Sequence, residues 1–260
     1  MQTESPAKTA LVVLAHPDQR SFNGSWASAT AASLEHLSYR VLQSDLTDME
    51  FDAVESAKHY SVFPQDRPFD PLKTQAEYSS TETLPADIKT EIAKLQQADL
   101  VVIHFPLWWF APPAILKGWL DRVLVHGGLH TVDRRFDRGL FNGKRVLFCV
   151  TTGASEHECA FNGKEGDVQM LLWPTAYTFR YLGFDILQPE IIHGVHGYFE
   201  GSEEAALQQR LKKILAQQET LLATIADRPT IRFNSDQEFD DTGSLRPDVP
   251  THSYFIRHSP

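Results

Sequence analysis

The stretch ADLVVIHFPLWWFAPPAILKGW, residues 98–119, decides how this chain folds. Residues 99–103 form an apolar run without polar alternation, and the strand they begin is expected to reach residue 105. Such a run suits a strand covered on both faces, as in a parallel sheet. Pro106 and the aromatics Trp108, Trp109 and Phe110 then crowd the segment where that strand ends. Pro112 and Pro113 can open a helix at its first turn, where a missing N–H costs nothing. Ile115, Leu116, Trp119, Leu120 and Val123 continue it at helical spacing. Apolar rings gathered in a loop need either something flat to cover or a neighbouring element or subunit to bury them, and both readings stand. In an open α/β sheet the crevice beyond the carboxyl ends of the strands is where ligands sit. A planar, redox-active ring such as a flavin suits such a surface.

The same strand-then-helix pattern extends in both directions. Residues 9–15 (TALVVLA) are another uninterrupted apolar run, followed by a polar turn in which Asn23 can cap a helix carrying Trp26, Ala27, Ala31 and Leu34. Residues 40–44 predict a second strand ending at Asp45. Residues 46–84 are long, polar and interrupted by Pro64, Pro68 and Pro71. So long a loop in a compact domain usually has a use, and short helical turns with ligand or subunit contacts are expected there. Residues 86–97 predict a helix with Ile88, Ile92 and Leu95 on one face. A strand at 145–150 runs into Thr151, Thr152 and Gly153, a helix follows near 168–182, and a fifth strand covers roughly 184–192. A last amphipathic helix is expected over 202–226, with Leu207, Leu211, Ile214, Leu215, Leu221 and Leu222 toward the core. Five strands alternating with helices predict a doubly wound parallel sheet. Its expected order is 2-1-3-4-5, with a ligand at the switch between strands 1 and 3.

Composition narrows the class. The 260 residues are 42% hydrophobic, enough for one large α/β domain. Lys and Arg number 24 against 34 Asp and Glu, a formal charge of −10, which argues against nucleic acid or an anionic membrane as partner. Two cysteines, Cys149 and Cys159, make no disulfide framework and fit a reducing compartment. The polar start, with Glu4 and Pro6, does not look like a secretory signal. No run approaches the ~18 apolar residues of a membrane span. A cytoplasmic protein without membrane insertion is expected.

Three turns carry chemistry. His16-Pro17-Asp18-Gln19-Arg20-Ser21-Phe22-Asn23 is neither GxGxxG nor a P-loop. It nevertheless lies where a helix N-terminus aims free N–H groups at an anion. His16, Ser21 and Asn23 add donors, and Phe22 can cover an apolar part. Thr151, Thr152, Gly153 and Ala154 are small enough for backbone amides to approach a ring closely. Amides aimed at the N1/C2=O edge of a flavin would stabilise the charge of its reduced form. His157, Cys159, His193 and His196 match no familiar metal-ligand spacing, so no metal is expected.

Together these turns resemble the NAD(P)H:quinone oxidoreductase family, the flavodoxin-like DT-diaphorases. The residues that carry the likeness are AHPDQRSFNGS (15–25), SDL (44–46), residues 98–123, FDRGLFNGKRVLFCVTTGAS (136–155), GDVQMLLWP (166–174) and Gly183-Phe184. The likeness spans about residues 9–200. It implies a flavodoxin-like FAD-binding catalytic domain over residues 1–226 and a tail over 227–260 laid on the surface or on a dimer partner. It also implies a homodimer with active sites at the interface, each with non-covalent FAD, favoured over FMN by the likeness and by chain length. NAD(P)H would deliver hydride to flavin N5 and leave, and a quinone or similar flat acceptor would then take its place. Carried over by position, His16, Ser21, Phe22 and Asn23 would hold the phosphates and ribityl chain. Pro106, Leu107, Trp108, Trp109 and Phe110 would line the ring, and Thr151, Thr152, Gly153 and Ala154 its pyrimidine edge. The loop around Phe69 and Asp70 would reach the partner's FAD. Trp109 and Phe110 are expected to orient and desolvate, and the Gly153 amide to stabilise charge.

The chain departs from the family pattern at informative places. Trp108 stands where Gln is frequent, and Ala154 where a second Gly is. The Tyr and His that relay a proton in the family fall at Cys159 and Glu165. The two Tyr that a partner subunit places over the pocket fall at His130 and Val132, with Arg135 near. Glu165 is then a candidate acid with Cys159 lining the pocket. A carboxyl of ordinary pKa about 4.3 is ionised near neutrality, so that role needs a raised value. Polar His130, Arg135 and Glu165 also suit an azo, nitro or pathway-specific acceptor. A third possibility is a regulatory subunit of a potassium-efflux system.

Overall fold

A computed structural model describes residues 8–64 and 66–258. The polar start with Glu4 and Pro6 lies outside the described residues. Three strands form the centre: β1 (Thr9–Leu14), β3 (Leu100–Pro106) and β4 (Arg145–Thr151), with side chains buried almost throughout. β2 (Arg40–Asp45) is an edge strand, part-exposed except at the buried Ser44. With β5 (Asp185–Ile186), all pair in parallel, in the order β2-β1-β3-β4-β5, as the apolar runs predict.

Helices cover both faces. α1 (Phe22–His36) and α7 (Gln218–Ala223) pack Trp26, Ala31, Leu34 and Leu222 onto Ala10, Val12, Leu100, Val102 and Leu147. α3 (Ala86–Gln97), α4 (Ala114–Val123) and α5 (Val168–Tyr181) pack Leu95, Leu116, Trp119, Leu172 and Phe179 onto Leu11, Val101, Ile103 and Phe148. Two buried polar clusters tie the layers. Trp26 Nε1 donates to Gln218 Oε1 at 2.8 Å, and Gln218 Nε2 donates to Thr30 Oγ1 at 3.1 Å. Glu91 accepts from Ser44 Oγ at 2.7 Å, Trp119 Nε1 at 2.9 Å and Lys94 Nζ at 2.7 Å.

Several boundaries differ from expectation. Ser21, not Asn23, caps α1, accepting from Gly24 N–H at 3.1 Å. Asn23 already lies inside the helix. Pro113 sits at the cap of α4 rather than in its first turn. Residues 46–84 contain a ten-residue helix, α2 (Pro71–Ser80), which Asp70 caps and Pro71 opens. The fifth strand is two pieces, β5 (Asp185–Ile186) and β6 (Glu190–Ile192). Ile186 pairs with Val146 but Glu190 pairs with Cys149, so one extra residue is accommodated between them. Pro189 lies in that bulge, where the absence of an N–H is harmless. The last helix breaks at Gln217 into α6 (Ser202–Ala216) and α7, followed by a short turn at Ile225–Asp227. α6 buries no residue fully; Leu211, Ile214 and Leu215 only flank the core.

Beyond that turn the chain lies on the body. Thr230 bridges Leu187, Phe233 meets Tyr177, and the Phe255 ring stacks on Trp173 at 4.5 Å. Among the described residues no helix is long and apolar enough to cross a membrane.

Candidate active site

Where β3 ends, Trp108 N–H donates to Ala111 O at 2.9 Å and Ala111 N–H donates to Trp108 O at 3.1 Å. The two residues between them, Trp109 and Phe110, have φ of 49° and 62°. This is a two-residue turn of the kind normally built from Asn and Gly. Left-handed backbone at a bulky L-residue costs about 1–2 kcal/mol, so placing two large rings on this tip costs stability. Trp109 is 93% exposed, Phe110 53% and Trp108 46%.

The opposite wall is the end of β4. Pro106 is in register with Thr151, and Leu107 N–H donates to Thr151 O at 2.8 Å. Beyond the strand, residues 152–154 are laced to the segment after β6. Thr152 N–H donates to Ile192 O, Val195 N–H to Thr152 O and Gly194 N–H to Ala154 O, at 3.0, 2.9 and 2.9 Å. The N–H groups of Gly153 and Ala154 donate to no protein atom among the described residues. A Cβ placed on Gly153 would meet nothing within 4 Å. Leu107, Trp109, Phe110, Thr152, Gly153, Ala154, Cys159 and Glu165 thus share one cleft of about 250 Å³, floored by Val168 and Leu171 of α5. Burial pushes the Cys159 thiol up in pKa, against the Thr152 hydroxyl beside it, which draws it down. The Glu165 carboxylate makes no hydrogen bond among the described residues, while its N–H donates to Glu158 O at 3.0 Å.

The third turn adjoins this cleft. The edge of the His16 ring faces Trp108 at 6.0 Å between centroids. Asp18, bound by Arg20 through side chain and backbone, has its carboxyl lowered to about 2. Asn23 Nδ2 donates to Thr151 Oγ1 at 2.9 Å, joining α1 to β4, and its buried Oδ1 has no partner. Among the described residues the first amides of α1, at Phe22 and Asn23, donate to no protein atom, as is usual where a helix begins.

A profile of the flavodoxin-like fold matches residues 8–217. NAD(P)H dehydrogenase (quinone) 1 of Rattus norvegicus is 37% identical over 191 residues, 72% of this chain and 69% of that protein. The chain belongs to the flavodoxin-like quinone oxidoreductase family. Ribosyldihydronicotinamide dehydrogenase (quinone) of Mus musculus is 35% identical over 213 residues, 80% of this chain and 92% of that protein. A Klebsiella pneumoniae structure assigned as a quinone reductase superposes with a TM-score of 0.82 at 28% identity, covering 95% of this chain and 97% of that one.

As a quinone oxidoreductase family member the chain is an enzyme of the oxidoreductase class, and its expected site residues sort into two groups. The first comprises the cleft residues together with Pro106, buried beneath them, and the His16–Asn23 turn. The second does not face the chain's own cleft. His130 Nε2 lies 3.1 Å from Leu124 O and its ring meets Tyr181, while Arg135 lies over Phe136 and Tyr181; Val132 is exposed. Sequence reasoning missed Val168 and Leu171, although their apolar spacing of three on α5 was visible. It also missed His193, which was considered only as a metal ligand. Its Nδ1 lies 2.9 Å from Thr152 Oγ1. Among the described residues no group of three or more His, Cys, Asp or Glu could hold a metal ion.

Proposed function

We propose that this protein is a NAD(P)H-dependent reductase of quinones or similar flat acceptors, with a non-covalent flavin, FAD in preference to FMN, in the cleft. The observation that carries this reading is the strained Trp109–Phe110 tip set opposite the free amides of Gly153 and Ala154. An apolar wall facing two unpaired donors fits a ring that is aromatic in its body and electron-rich at one edge. The unpartnered Asn23 Oδ1 and the open space over Gly153 fit the same group. A bound flavin supplies hydride exchange, first with NAD(P)H and then with the acceptor, in ping-pong order.

The chain's own contribution is positioning and polarity. Trp109 and Phe110 orient a flat partner and exclude water. The Gly153 and Ala154 amides offer fixed dipoles that need no reorganisation. The turn of His16, Ser21, Phe22 and Asn23 holds phosphate through the first amides of α1. Glu165 and Cys159 line the acceptor side. A second copy of the chain completes the site in this reading, because His130, Val132 and Arg135 point away from their own cleft. The Phe69–Asp70 segment reaches the partner, and the compartment is the cytoplasm.

The absorbance spectrum of purified protein, with mass identification of the released cofactor, tests the reading. FAD is the expected product, followed by NAD(P)H-driven quinone turnover that Trp109→Ala largely removes. A colourless protein that refuses both FAD and FMN overturns it.

A further inference from the structure

We propose that Thr152 and His193 form a proton relay between the cleft and the solvent groove behind β6. This rests on the flavin-dependent reading above. Reducing a quinone to a hydroquinone takes one hydride from NAD(P)H and one further proton. Neither the Glu165 carboxylate, which makes no hydrogen bond among the described residues, nor the buried Cys159 thiol, whose pKa burial raises, belongs to a hydrogen-bonded link between the cleft and the groove behind β6.

Thr152 does connect them. Its Oγ1 donates to Ala154 O at 2.9 Å, lies 2.9 Å from His193 Nδ1, and adjoins the Cys159 thiol in the cleft. With the hydroxyl proton directed at Ala154, His193 Nδ1 must be the donor, which fixes that ring in its Nδ1–H tautomer. Thr152 lines the cleft, and His193 lines a separate groove of about 610 Å³ with Ser155, Glu156, Glu190 and Arg210. The pairing of residues 152–154 with 192–195 holds the two side chains in place, and Arg210 Nη2 clamps His193 O at 2.7 Å.

The transfer balances without charging the imidazole. A solvent acid in the groove gives a proton to His193 Nε2. The Nδ1–H proton passes to Thr152 Oγ1, and the proton Thr152 held passes to the acceptor oxygen in the cleft. The imidazole as a whole and the Thr152 hydroxyl each gain one proton as they lose one, which leaves His193 as its Nε2–H tautomer, and exchange with groove water restores the Nδ1–H form. Burial lowers the pKa of His193, opposed by Glu156 and assisted by Arg210, so the ring is neutral near pH 7, as the path requires. Glu156, Glu190 and Arg210 are the charged groups that line its groove.

Two measurements on the full chain test this. ¹⁵N-histidine NMR should place the proton of His193 on Nδ1, and Thr152→Val should return it to Nε2. In flavin-loaded protein, His193→Ala should leave the flavin spectrum and kcat/KM for NAD(P)H unchanged. Acceptor turnover should fall about 10²-fold near pH 8, less at low pH, with partial rescue by added imidazole. An Nε2–H tautomer in the parent protein, or a His193→Ala variant that keeps flavin, turnover and pH profile, overturns the relay and leaves the flavin reading intact. Refusal of flavin by the parent protein overturns both.

Discussion

Asn23 and Thr151, 128 positions apart, meet through a buried 2.9 Å hydrogen bond that fastens the first turn of α1 to the end of β4. The bond sets the first turn of α1 against the end of β4, so in the proposed reading cofactor retention and stability depend on the same contact. Asn23→Ala leaves Thr151 Oγ1 without its donor and should cost about 1–3 kcal/mol. Asn23→Asp can still accept from the Thr151 hydroxyl and suits a helix N-terminus. It should therefore melt closer to the parent than Asn23→Ala yet release flavin, because a carboxylate repels phosphate. Thermal unfolding beside flavin retained after gel filtration checks this; an Asp variant that keeps its flavin would disprove the placement of phosphate here.

The Trp109–Phe110 tip is expected to trade stability for function. Replacing the pair with Asn-Gly suits the turn and removes two strained φ values. The double variant should gain about 2–4 kcal/mol and lose most flavin affinity. A midpoint that stays level or falls on heating would show that the rings, rather than the turn hydrogen bonds, stabilise this loop.

The buried Glu91 supports the sheet edge beneath α3. Its carboxylate receives Ser44, Lys94 and Trp119 at once. Glu91→Leu strands Trp119 Nε1 and should cost about 3–5 kcal/mol. Glu91→Gln keeps an acceptor for Trp119 and should cost less. Urea midpoints of the two variants check the order, and a Leu variant as stable as the Gln variant would contradict it.

Much of this architecture was legible from sequence because continuous apolar runs leave few options. Residues 9–14, 100–106 and 145–151 can only be strands covered on both faces, and their order follows from the helices between them. The aromatic tip and the Thr-Thr-Gly turn were legible for a related reason, since both sit where strands end. The bulge at Pro189 and the break at Gln217 were not. Gln217 interrupts a pattern that stays amphipathic on either side, and the bulge lies beside the tail segment at Thr230, which arrives from far along the chain. His193 was invisible as a site residue because its partner, Thr152, lies 41 positions away, just beyond the end of β4.

His104 is buried on β3 against the Trp26 ring at 5.1 Å, and among the described residues neither ring nitrogen has a partner. Burial lowers its pKa to about 3, against an ordinary value near 6.5. In the unfolded chain it takes up a proton as pH falls through about 6.5, whereas in the folded chain it stays neutral until about 3. Over that window the unfolded state binds more protons, so stability is fully present above pH 6.5 and falls as pH drops. The slope from this one residue is about 1.4 kcal/mol per pH unit. His104→Leu removes that contribution and also removes two unpaired polar atoms from the core, so it should be at least as stable as the parent at pH 7 and clearly more stable at pH 5. Urea unfolding of both proteins between pH 7 and 4.5 measures the difference. Parallel stability curves would mean that His104 gains a partner or a proton in the folded state, contrary to its placement beneath α1.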